Sequence, residues 1–377
     1  MDIFVGVIVG LLVLMLLVTA HEFGHFLMAR RNGVKVLEFG IGFMPRAIAW
    51  VKDAKTGKWR RLPREEWKKP QKGLIFSLNW LPIGGFCQMD GENAEDTKKG
   101  TFGAASFLAK TKILFGGVVA NWLVAFVILT VLAWTGMPQF LEDQFTIGAD
   151  TRVAKTPVKV LEVAVDSPAE RAGLKSGDQI LGVDGNEFYR ASEFSDYNEA
   201  RAGEEVVYAT DRGDFTVKLN PADSDYLLGI TMETTQSLAY STWSAPIVGA
   251  GLTLQMTGQT FAGVGQMIGN LVSGVFSQLS FDSSVRDEGR ETISEVGDSV
   301  SGPVGIIGVL FPSFTAAGPT NLAFLTALIS ISLACMNVLP IPALDGGRWL
   351  LIAIFKLRKK KLTKEIEEKI VSRAFMV

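Results

Sequence analysis

The stretch that decides the fold is Ile3–Ala20, IFVGVIVGLLVLMLLVTA, which runs without a charge directly into His21-Glu22-Phe23-Gly24-His25. Its 18 residues approach the roughly 20 apolar residues that a membrane-spanning helix needs. A cleaved signal peptide is the alternative, but Asp2 stands where a basic cluster would precede the run, and no small-residue cleavage site follows it. We therefore expect residues 1–29 to form a first membrane helix that carries this pentapeptide.

The composition predicts further membrane segments. The chain has 377 residues, of which 48% are hydrophobic and 20% charged, and its mean hydropathy is +0.25. Ile113–Thr135 predicts a second membrane helix within 113–136, and Asn321–Leu344 predicts a third within the segment 299–348. The net charge of −2 excludes a generally basic nucleic-acid-binding protein, and two cysteines exclude a disulfide-stabilised secreted fold. We expect the lipid bilayer, and no nucleic acid, as a partner.

Charged residues are distributed unevenly between the predicted spans. Lys and Arg dominate residues 30–112, whereas acidic residues outnumber basic ones in 140–240. Because cytoplasmic loops carry an excess of Lys and Arg, we place 30–112 in the cytoplasm and 140–240 outside. His21 and His25 then lie near the cytoplasmic end of the first helix, at a depth where ionisable groups are costly and mark functional sites.

His21 and His25 are the only two histidines of the chain. Their spacing puts both on one helix face with Glu22 beside them, which is the H-E-x-x-H pattern of zinc metalloproteases. A catalytic zinc has three protein ligands and one open position, so the third ligand must be Asp, Glu or Cys. Asp345 is the first charge after 46 uncharged residues and is expected at the same depth. Cys335 is an alternative, although a buried apolar role is more typical of such a cysteine.

The segment around Asp345 is unsuited to a continuous helix. Pro340 and Pro342 end a helix before it, and Gly346-Gly347 permit an irregular backbone after it. Such backbone at membrane depth is tolerated only inside protein or along a wet cavity. A simple helix terminus is the alternative, but the nearby amide of Asn337 favours a polar cavity.

Two motifs together resemble the site-2 protease family of intramembrane zinc metalloproteases. They are His21–His25, HEFGH, and Asn337–Gly347, NVLPIPALDGG. Gly117–Asn121 is similar to the GxxxN motif of that family, and Pro82–Phe86 and Ser301–Ile306 are similar to further family segments. The resemblance covers nearly the whole chain, and it is to the bacterial regulator-of-sigma type with one PDZ domain.

The resemblance implies a zinc-dependent intramembrane endopeptidase. It implies that Zn2+ is bound by His21, His25 and Asp345, with Glu22 as the general base. The substrate-binding residues it implies are Asn337, Gly84, Gly85 and Asn121. Its implied substrate is a single-span transmembrane protein, such as an anti-sigma factor whose outer part has already been trimmed, cleaved within its transmembrane segment in regulated intramembrane proteolysis.

Residues 158–185, VKVLEVAVDSPAERAGLKSGDQILGVDG, predict a small folded domain. Alternating apolar residues indicate a strand at 158–165, and Ser167-Pro168 begin a short helix that Gly173 ends. Further strands are predicted at 180–183, Glu205–Thr210 and Phe215–Leu219. An unspecialised β-rich domain is one interpretation. The order of these signals resembles PDZ domains, so we expect an extracytoplasmic PDZ-like domain over 150–233, which would bind extended segments by strand addition.

The remaining segments are predicted less directly. The basic loop 30–112 contains two apolar stretches, Phe43–Trp50 and Gly73–Phe86. A plain surface loop is one interpretation, whereas the resemblance implies a membrane-associated β-hairpin that offers an edge strand to the substrate. Residues 234–298 suit either a further span or an amphipathic region on the outer surface, and we favour the surface. Residues 349–377 predict an amphipathic tail on the cytoplasmic side, where the resemblance implies a fourth membrane helix.

These features predict a polytopic α-helical membrane protein with at least three transmembrane helices. An extracytoplasmic PDZ-like β-rich domain and a membrane-associated β-hairpin loop complete the fold, in a bacterial inner membrane. One alternative function is a non-catalytic PDZ-containing adaptor with a structural zinc, which would need a closed site of four ligands. A metal transporter is another, and it would need ionisable groups spread across the bilayer rather than gathered at one depth.

Overall fold

The structure is a computed structural model that describes residues 2–53, 56–67, 69, 71–92, 96–141, 143–154, 158–186, 188, 191–224, 226–232, 238–278, 290, 294, 302, 305–360 and 362–374. These residues form two compact units. The membrane unit comprises 1–131 with 249–377, and the second unit comprises 132–248. The predicted segments 234–298, 299–348 and 349–377 each extend partly beyond the described residues.

Within the described residues, all strands lie between Val36 and Tyr240, and five of the helices follow them. The helices are α1 (Asp2–Arg31), α2 (Phe107–Thr135), α3 (Pro168–Ala172), α4 (Ala191–Glu199), α5 (Ala245–Ser277), α6 (Phe311–Ala316), α7 (Pro319–Val338), α8 (Asp345–Leu357) and α9 (Lys364–Ala374). The strands are β1 (Val36–Lys52), β2 (Trp59–Arg61), β3 (Ile75–Met89), β4 (Met137–Pro138), β5 (Arg152–Ala154), β6 (Val158–Val163), β7 (Gln179–Val183), β8 (Glu205–Thr210), β9 (Gly213–Lys218), β10 (Ile230–Met232) and β11 (Leu238–Tyr240).

Three helices of the described residues, α1, α2 and α7, are long and apolar enough to cross a membrane. They coincide with the three predicted spans. Helix α2 begins at Phe107 rather than near Ile113, and α7 ends at Val338, before the predicted limit at Leu344. The early end follows from Pro340, because the residue before a proline avoids helical backbone, and Leu339 is extended with ψ 147°. Helix α5, which is rich in Gly, Thr and Gln, is not among the three.

Within 30–112, where the resemblance implies a membrane-associated hairpin, β1 pairs antiparallel with β3, and β2 lies on the β1 edge. Both long strands bend midway. Residues 38–41 of β1 consequently pair with 75–78 on one side and with 85–88 on the other. The segment 85–88 is therefore the outermost part of this sheet on the side away from β2, within the described ranges.

Aromatic side chains pack α1 against the hairpin. The rings of Phe26, Phe39 and Phe76 lie with their centroids 5.4–5.7 Å apart. Inside the hairpin, the buried carboxylate of Glu38 pairs with Arg46 and accepts a hydrogen bond from Ser77 Oγ at 2.6 Å. A buried carboxylate with several partners fixes the sheet geometry, because any single partner lost would leave a charge unpaired.

Helices α1 and α2 touch backbone to backbone. A Cβ built on Gly24 would lie 2.2 Å from the carbonyl oxygen of Gly116, and one on Gly116 would lie 2.7 Å from that of Gly24. Small residues permit such an approach between membrane helices. The contact lies beside His25, so it sets the distance between the histidine-bearing helix and α2.

Arg348 ties the first turn of α8 to two other parts of the membrane unit. Its Nε lies 3.0 Å from Oε1 of Glu367 on α9, and its Nη1 lies 3.7 Å from Oε1 of Glu92 in the loop after the hairpin. The guanidinium also stands 5.0 Å from the ring centroid of Phe102. These contacts hold the beginning of α8, where Asp345 is found.

The second unit contains a five-stranded sheet in the order β10-β6-β7-β8-β9 and a separate three-stranded sheet in the order β4-β11-β5. The strand predicted at 158–165 ends at Val163, the strand at Glu205–Thr210 has the predicted bounds, and β9 begins two residues before the predicted start at Phe215. The core of the unit is formed by buried side chains on these strands, including Val158, Val160, Ile180, Val206, Tyr208 and Val217.

The predicted helix signals of the second unit are confirmed. Ser167 is the residue before α3, and its Oγ accepts the backbone N–H of Glu170 at 3.2 Å. Gly173 ends the helix in a left-handed conformation with φ +92°, which a residue without Cβ adopts at little cost. The sequence therefore determines both ends of α3 locally.

Candidate metal centre

His21, His25 and Asp345 form the one group of three metal-ligating side chains found within the described residues. His21 Nε2 lies 3.0 Å from His25 Nε2 and 3.0 Å from Asp345 Oδ2, and His25 Nε2 lies 3.2 Å from the same oxygen. Both histidines are buried. The alternative ligand Cys335 is buried on α7 and does not belong to the group.

Hydrogen bonds on the far side of the imidazoles orient the two histidines. His25 Nδ1 donates to the carbonyl oxygen of Ile113 on α2 at 2.8 Å. Nδ1 thus carries a proton, and Nε2, which faces the cluster, can act as a metal ligand when the imidazole is neutral. This partner fixes both the tautomer and the ring orientation of His25.

Asn121 stands in the corresponding place behind His21. Its amide nitrogen lies 3.4 Å from His21 Nδ1, and its amide oxygen is buried with no hydrogen-bond partner among the described residues. A half-turn of the amide exchanges the two atoms, so the oxygen would accept Nδ1–H of His21 and leave its Nε2 lone pair facing Asp345. The backbone of Asn121 is itself held by Ser330 Oγ, which donates to its carbonyl at 2.8 Å.

Gly117 lines the cluster from α2. A Cβ at this position would lie 2.6 Å from His21 Nε2 and 2.7 Å from His25 Nε2. No side chain larger than hydrogen fits there without moving an imidazole. The glycine of the Gly117–Asn121 motif therefore makes room for the two histidines, and its asparagine supports one of them.

Two glycines bring Asp345 back toward α1. A Cβ on Gly346 would lie 2.1 Å from the carbonyl oxygen of Val338, and one on Gly347 would lie 1.9 Å from that of Ile341. The chain between α7 and α8 turns tightly against these carbonyls. Asp345 is consequently the first residue of α8 and faces histidines that precede it by more than three hundred positions.

Glu22 lies between the histidines and the hairpin. Its carboxylate is close enough to His25, His21 and Asp345 to interact with them electrostatically, and the backbone of Cys87 on β3 is also near it. The hairpin therefore lies beside the acidic residue of the HEFGH motif.

The structure places the predicted substrate-binding residues at different distances from the cluster. A Cβ on Gly84 would lie 3.1 Å from Val18 Cγ1, and one on Gly85 would lie 3.3 Å from Thr19 Oγ1, so both glycines pass close to α1 just before His21. Asn337 donates to the carbonyl oxygen of Leu333 within its own helix at 2.9 Å. Asn121 is fully buried behind His21.

The donor set fits zinc. Two imidazole nitrogens and a carboxylate oxygen are common zinc ligands, and bonds of about 2.0–2.2 Å in a tetrahedron separate neighbouring ligand atoms by roughly 3.3–3.5 Å. The observed separations of 3.0–3.2 Å are close to that spacing. Two lone-pair nitrogens and an anionic oxygen this close also need a cation or a shared proton between them.

Sequence reasoning missed several residues that build this centre. It assigned no role to the contact of Gly24 with Gly116 or to the pairing of Arg348 with Glu367. The signal for the first was present as Gly116-Gly117 opposite the glycine of HEFGH, a pattern of small residues typical of close helix crossings. Nothing in the sequence alone pairs Arg348 with a particular acid.

The sequence profile described as Peptidase family M50 matches residues 9–377. The chain belongs to peptidase family M50. This membership confirms the resemblance to site-2 proteases, and the protein is an intramembrane zinc metalloprotease with Zn2+ as its cofactor and a protein as its substrate. It is accordingly a membrane protein.

Relatives of this M50 peptidase cover most of its length. A protein of Clostridium perfringens named as a candidate zinc metalloprotease is 26% identical over 98% of this chain and 94% of its own. The chloroplast membrane metalloprotease ARASP of Arabidopsis thaliana is 28% identical over 99% of this chain and 76% of its own. Among solved structures, the PDZ domain of an SdrC-like protein of Listeria monocytogenes is 32% identical, covers 22% of this chain and 92% of its own, and has a TM-score of 0.20.

Proposed function

We propose that His21, His25 and Asp345 hold the catalytic zinc and that Glu22 is the general base. The observation that supports this most is the convergence of two nitrogens and one carboxylate oxygen within 3.2 Å. Zinc at this position would polarise the scissile carbonyl and make water a stronger nucleophile at neutral pH. Three protein ligands leave one coordination position for that purpose.

Glu22 moves the proton in this proposal. Its carboxylate takes a proton from the attacking water and then gives it to the amine that leaves, as a general base followed by a general acid. The backbone of Cys87 on the hairpin lies near this carboxylate. The hairpin is then a support of the catalytic machinery as well as a surface for the substrate.

The proposed substrate is the transmembrane segment of a single-span protein. An intact helix hides its peptide carbonyls in internal hydrogen bonds, so it must become extended before it can be cut. The outer sheet segment 85–88, which begins at Gly85 and directly follows Gly84, offers backbone groups for strand addition. Asn337, at the end of α7, is the proposed side-chain contact on the other side of the substrate.

Asn121 has a different proposed role from the substrate contact that the sequence predicts. Its complete burial and its 3.4 Å approach to His21 favour positioning of the imidazole. Partners behind metal-ligating histidines commonly change metal affinity by 10- to 100-fold. Substrate contact through Asn121 would require its side chain to leave the place behind His21.

The second unit has the proposed role of a filter. Its strand and helix order and the segment SPAERAGL support a PDZ-like domain over 150–233, and the acidic charge of 140–240 supports an extracytoplasmic location. A pre-trimmed substrate, such as an anti-sigma factor, would pass this filter in a bacterial inner membrane. The segments 1–29, 30–112, 113–136, 234–298, 299–348 and 349–377 keep their predicted roles in this proposal.

The decisive experiment is Glu22→Gln in the full-length protein, reconstituted in detergent with a single-span substrate. Removal of a general base should lower the cleavage rate by about 10²- to 10⁴-fold. Zinc per chain should be unchanged, because Glu22 is not a proposed ligand. Glu365→Gln, an exposed acid on α9, is the matched control and should cleave normally. Full cleavage by Glu22→Gln would refute the assignment, and loss of zinc would make Glu22 a ligand instead.

A further inference from the structure

A basic cavity of about 460 Å³ lies at the end of α1, apart from the metal centre. Its charged lining consists of four basic side chains and one acidic one, namely Arg30, Lys35, Lys52, Lys72 and Asp53. Such a concentration of positive charge around a concave space attracts an anion. The proposed proteolytic mechanism makes no use of it.

Four separate parts of the chain bring the cations together. Arg30 belongs to the last turn of α1, Lys35 to the turn that follows it, Lys52 to the end of β1, and Lys72 to the loop before β3. The cavity stays open partly because Gly33 lines it, where an added Cβ would meet no atom within 4 Å. Folding of the hairpin onto α1 therefore creates the cavity.

The cations are only partly neutralised by their surroundings. Asp53, the one acid among the described residues that line the cavity, accepts the backbone N–H of Thr56 at 2.8 Å through Oδ1. Lys35 Nζ is 4.0 Å from Asp90 Oδ2, the outer limit of an ion pair, and this lysine is more than half exposed. One lining acid against four lining bases leaves a net positive charge for a ligand.

The position of the cavity indicates which anion it takes. Arg30 closes a helix that is long and apolar enough to cross the membrane, so the cavity opens where that helix leaves the bilayer. Leu16 and Phe23 precede Arg30 by fourteen and seven residues on the same helix face, and they are 63% and 49% exposed. An apolar strip that leads to a basic cavity matches the two parts of a lipid, an acyl chain and a charged headgroup.

We propose that this cavity binds the phosphate headgroup of an anionic phospholipid, with the acyl chains along Leu16 and Phe23. Basic clusters next to membrane helices attract anionic headgroups, and each such cation near the surface contributes roughly fivefold in affinity. Inorganic phosphate would meet the same cations but would gain nothing from the apolar strip. An acidic peptide would also lack a partner for that strip.

The test uses the full-length protein in a neutral detergent, with Kd measured by native mass spectrometry and by the shift in thermal unfolding. The probes are dioctanoyl phosphatidylglycerol, dioctanoyl phosphatidylcholine, inorganic phosphate and hexaglutamate. Phosphatidylglycerol should bind saturably and at least about tenfold more tightly than each of the others. The Lys52→Gln/Lys72→Gln double variant should weaken its binding by about 25-fold, since two cations are lost.

Two further variants separate the cavity from general surface charge and from misfolding. Lys98→Gln/Lys99→Gln removes two exposed lysines outside the cavity and should change Kd less than twofold. Lys52→Arg/Lys72→Arg keeps both charges and should retain binding, with the unliganded unfolding temperature of every variant as the folding check. Unchanged affinity in the glutamine variant at the cavity, or equal loss in the surface variant, would overturn the proposal. Phosphate or hexaglutamate binding as tightly as phosphatidylglycerol would overturn the lipid as the ligand.

Discussion

Asp178 in the second unit and Asp345 in the membrane unit are both carboxylates next to basic side chains, but their partners differ. The two oxygens of Asp178 accept hydrogen bonds from Nε and Nη2 of Arg212, each at 2.5 Å, and Oδ2 also accepts the backbone N–H of Lys175 at 2.8 Å. Asp345 instead directs Oδ2 at the Nε2 atoms of His21 and His25.

The carboxylate of Asp178 is paired within the protein and stabilises the fold, whereas the carboxylate of Asp345 faces two side chains that can themselves bind a metal ion. Arginine is permanently protonated and supplies its own hydrogens, so the pair of Asp178 with Arg212 needs nothing further. The imidazole of His25 beside Asp345 can offer a lone pair, because its Nδ1–H donates to a carbonyl on the opposite side of the ring. In the second unit the buried charge is paired within the protein, whereas in the membrane unit we propose that the charge binds a metal ion.

The largest expected effect tests that contrast directly. Asp345→Asn removes the anionic ligand and should lower zinc affinity by more than about 100-fold, beyond the usual loss from outer partners, with cleavage lost as well. Zinc per chain after dialysis against a chelator measures it. Asp178→Asn is the control and should keep one zinc per chain. If Asp345→Asn retained zinc like the control, the third ligand would have to be another residue.

Gly117→Ala tests whether the histidines need the space that α2 leaves them. The added methyl group would lie 2.6 Å from His21 Nε2, so one imidazole must move. A displacement of about 1 Å at a catalytic group costs on the order of 100-fold in rate. Gly263→Ala on α5, where an added Cβ meets nothing within 4 Å, is the matched control and should cleave at the normal rate. Equal cleavage rates for Gly117→Ala and Gly263→Ala would contradict the proposal that a side chain at position 117 displaces an imidazole.

Asn121→Ala should weaken zinc binding by about 10- to 100-fold, because His21 loses the partner that orients it. The substrate KM should change little, which distinguishes a positioning role from substrate contact. Asn321→Ala serves for comparison, because Asn321 is another buried asparagine, in the first turn of α7, and its amide donates to the carbonyl oxygen of Ala317 before that helix. A raised KM with normal zinc affinity in Asn121→Ala would restore the role that the sequence predicts.

The smallest expected effect concerns Asp178. Its side chain is only 4% exposed, and Asp178→Asn should destabilise the second unit by about 1–2 kcal/mol through weaker hydrogen bonds to Arg212. Hydrogen exchange of residues 158–219 in the full-length protein measures this, with Asp196→Asn on α4 as the control. Protection equal to wild type at neutral pH would show that the pair contributes little.

The same pair predicts a pH dependence. The hydrogen bonds from Arg212 hold the pKa of Asp178 below its ordinary value. A group with a lowered folded-state pKa contributes its full stability above the unfolded pKa of about 3.9 and loses it as the pH falls through the folded value. The difference in protection between wild type and Asp178→Asn should therefore shrink below about pH 4. A difference that grew in acid would reverse the assigned direction.

Local sequence signals are sufficient to predict several structural features of this protein. The two histidines share a helix face because of their spacing alone, and Ser167 and Gly173 determine the ends of α3 without help from the rest of the fold. Asp345 was predicted from its depth in the membrane, which depends only on the charge pattern. In each case the decisive interaction is between near neighbours or between a segment and its solvent.

The features that the sequence did not predict depend on distant partners. The early start of α2 at Phe107 was missed because Lys110 and Lys112 interrupt the apolar pattern although the helix continues through them. The double bend of β1 and β3, and the pairing of Arg348 with Glu367, arise only when remote segments pack. The role of Asn121 belongs to the same class, since its partner is one hundred positions away.

The distance in sequence between His21 and Asp345 has a consequence for the synthesis of the enzyme on the ribosome. The two residues are 324 positions apart, and a ribosome that adds roughly 5–20 residues per second needs on the order of 16–65 s to pass from one to the other. During that interval α1 is already made, but the nascent chain lacks the residue that we propose as its third zinc ligand. The proposed zinc site therefore cannot be complete until α8, which begins at Asp345, has been synthesised.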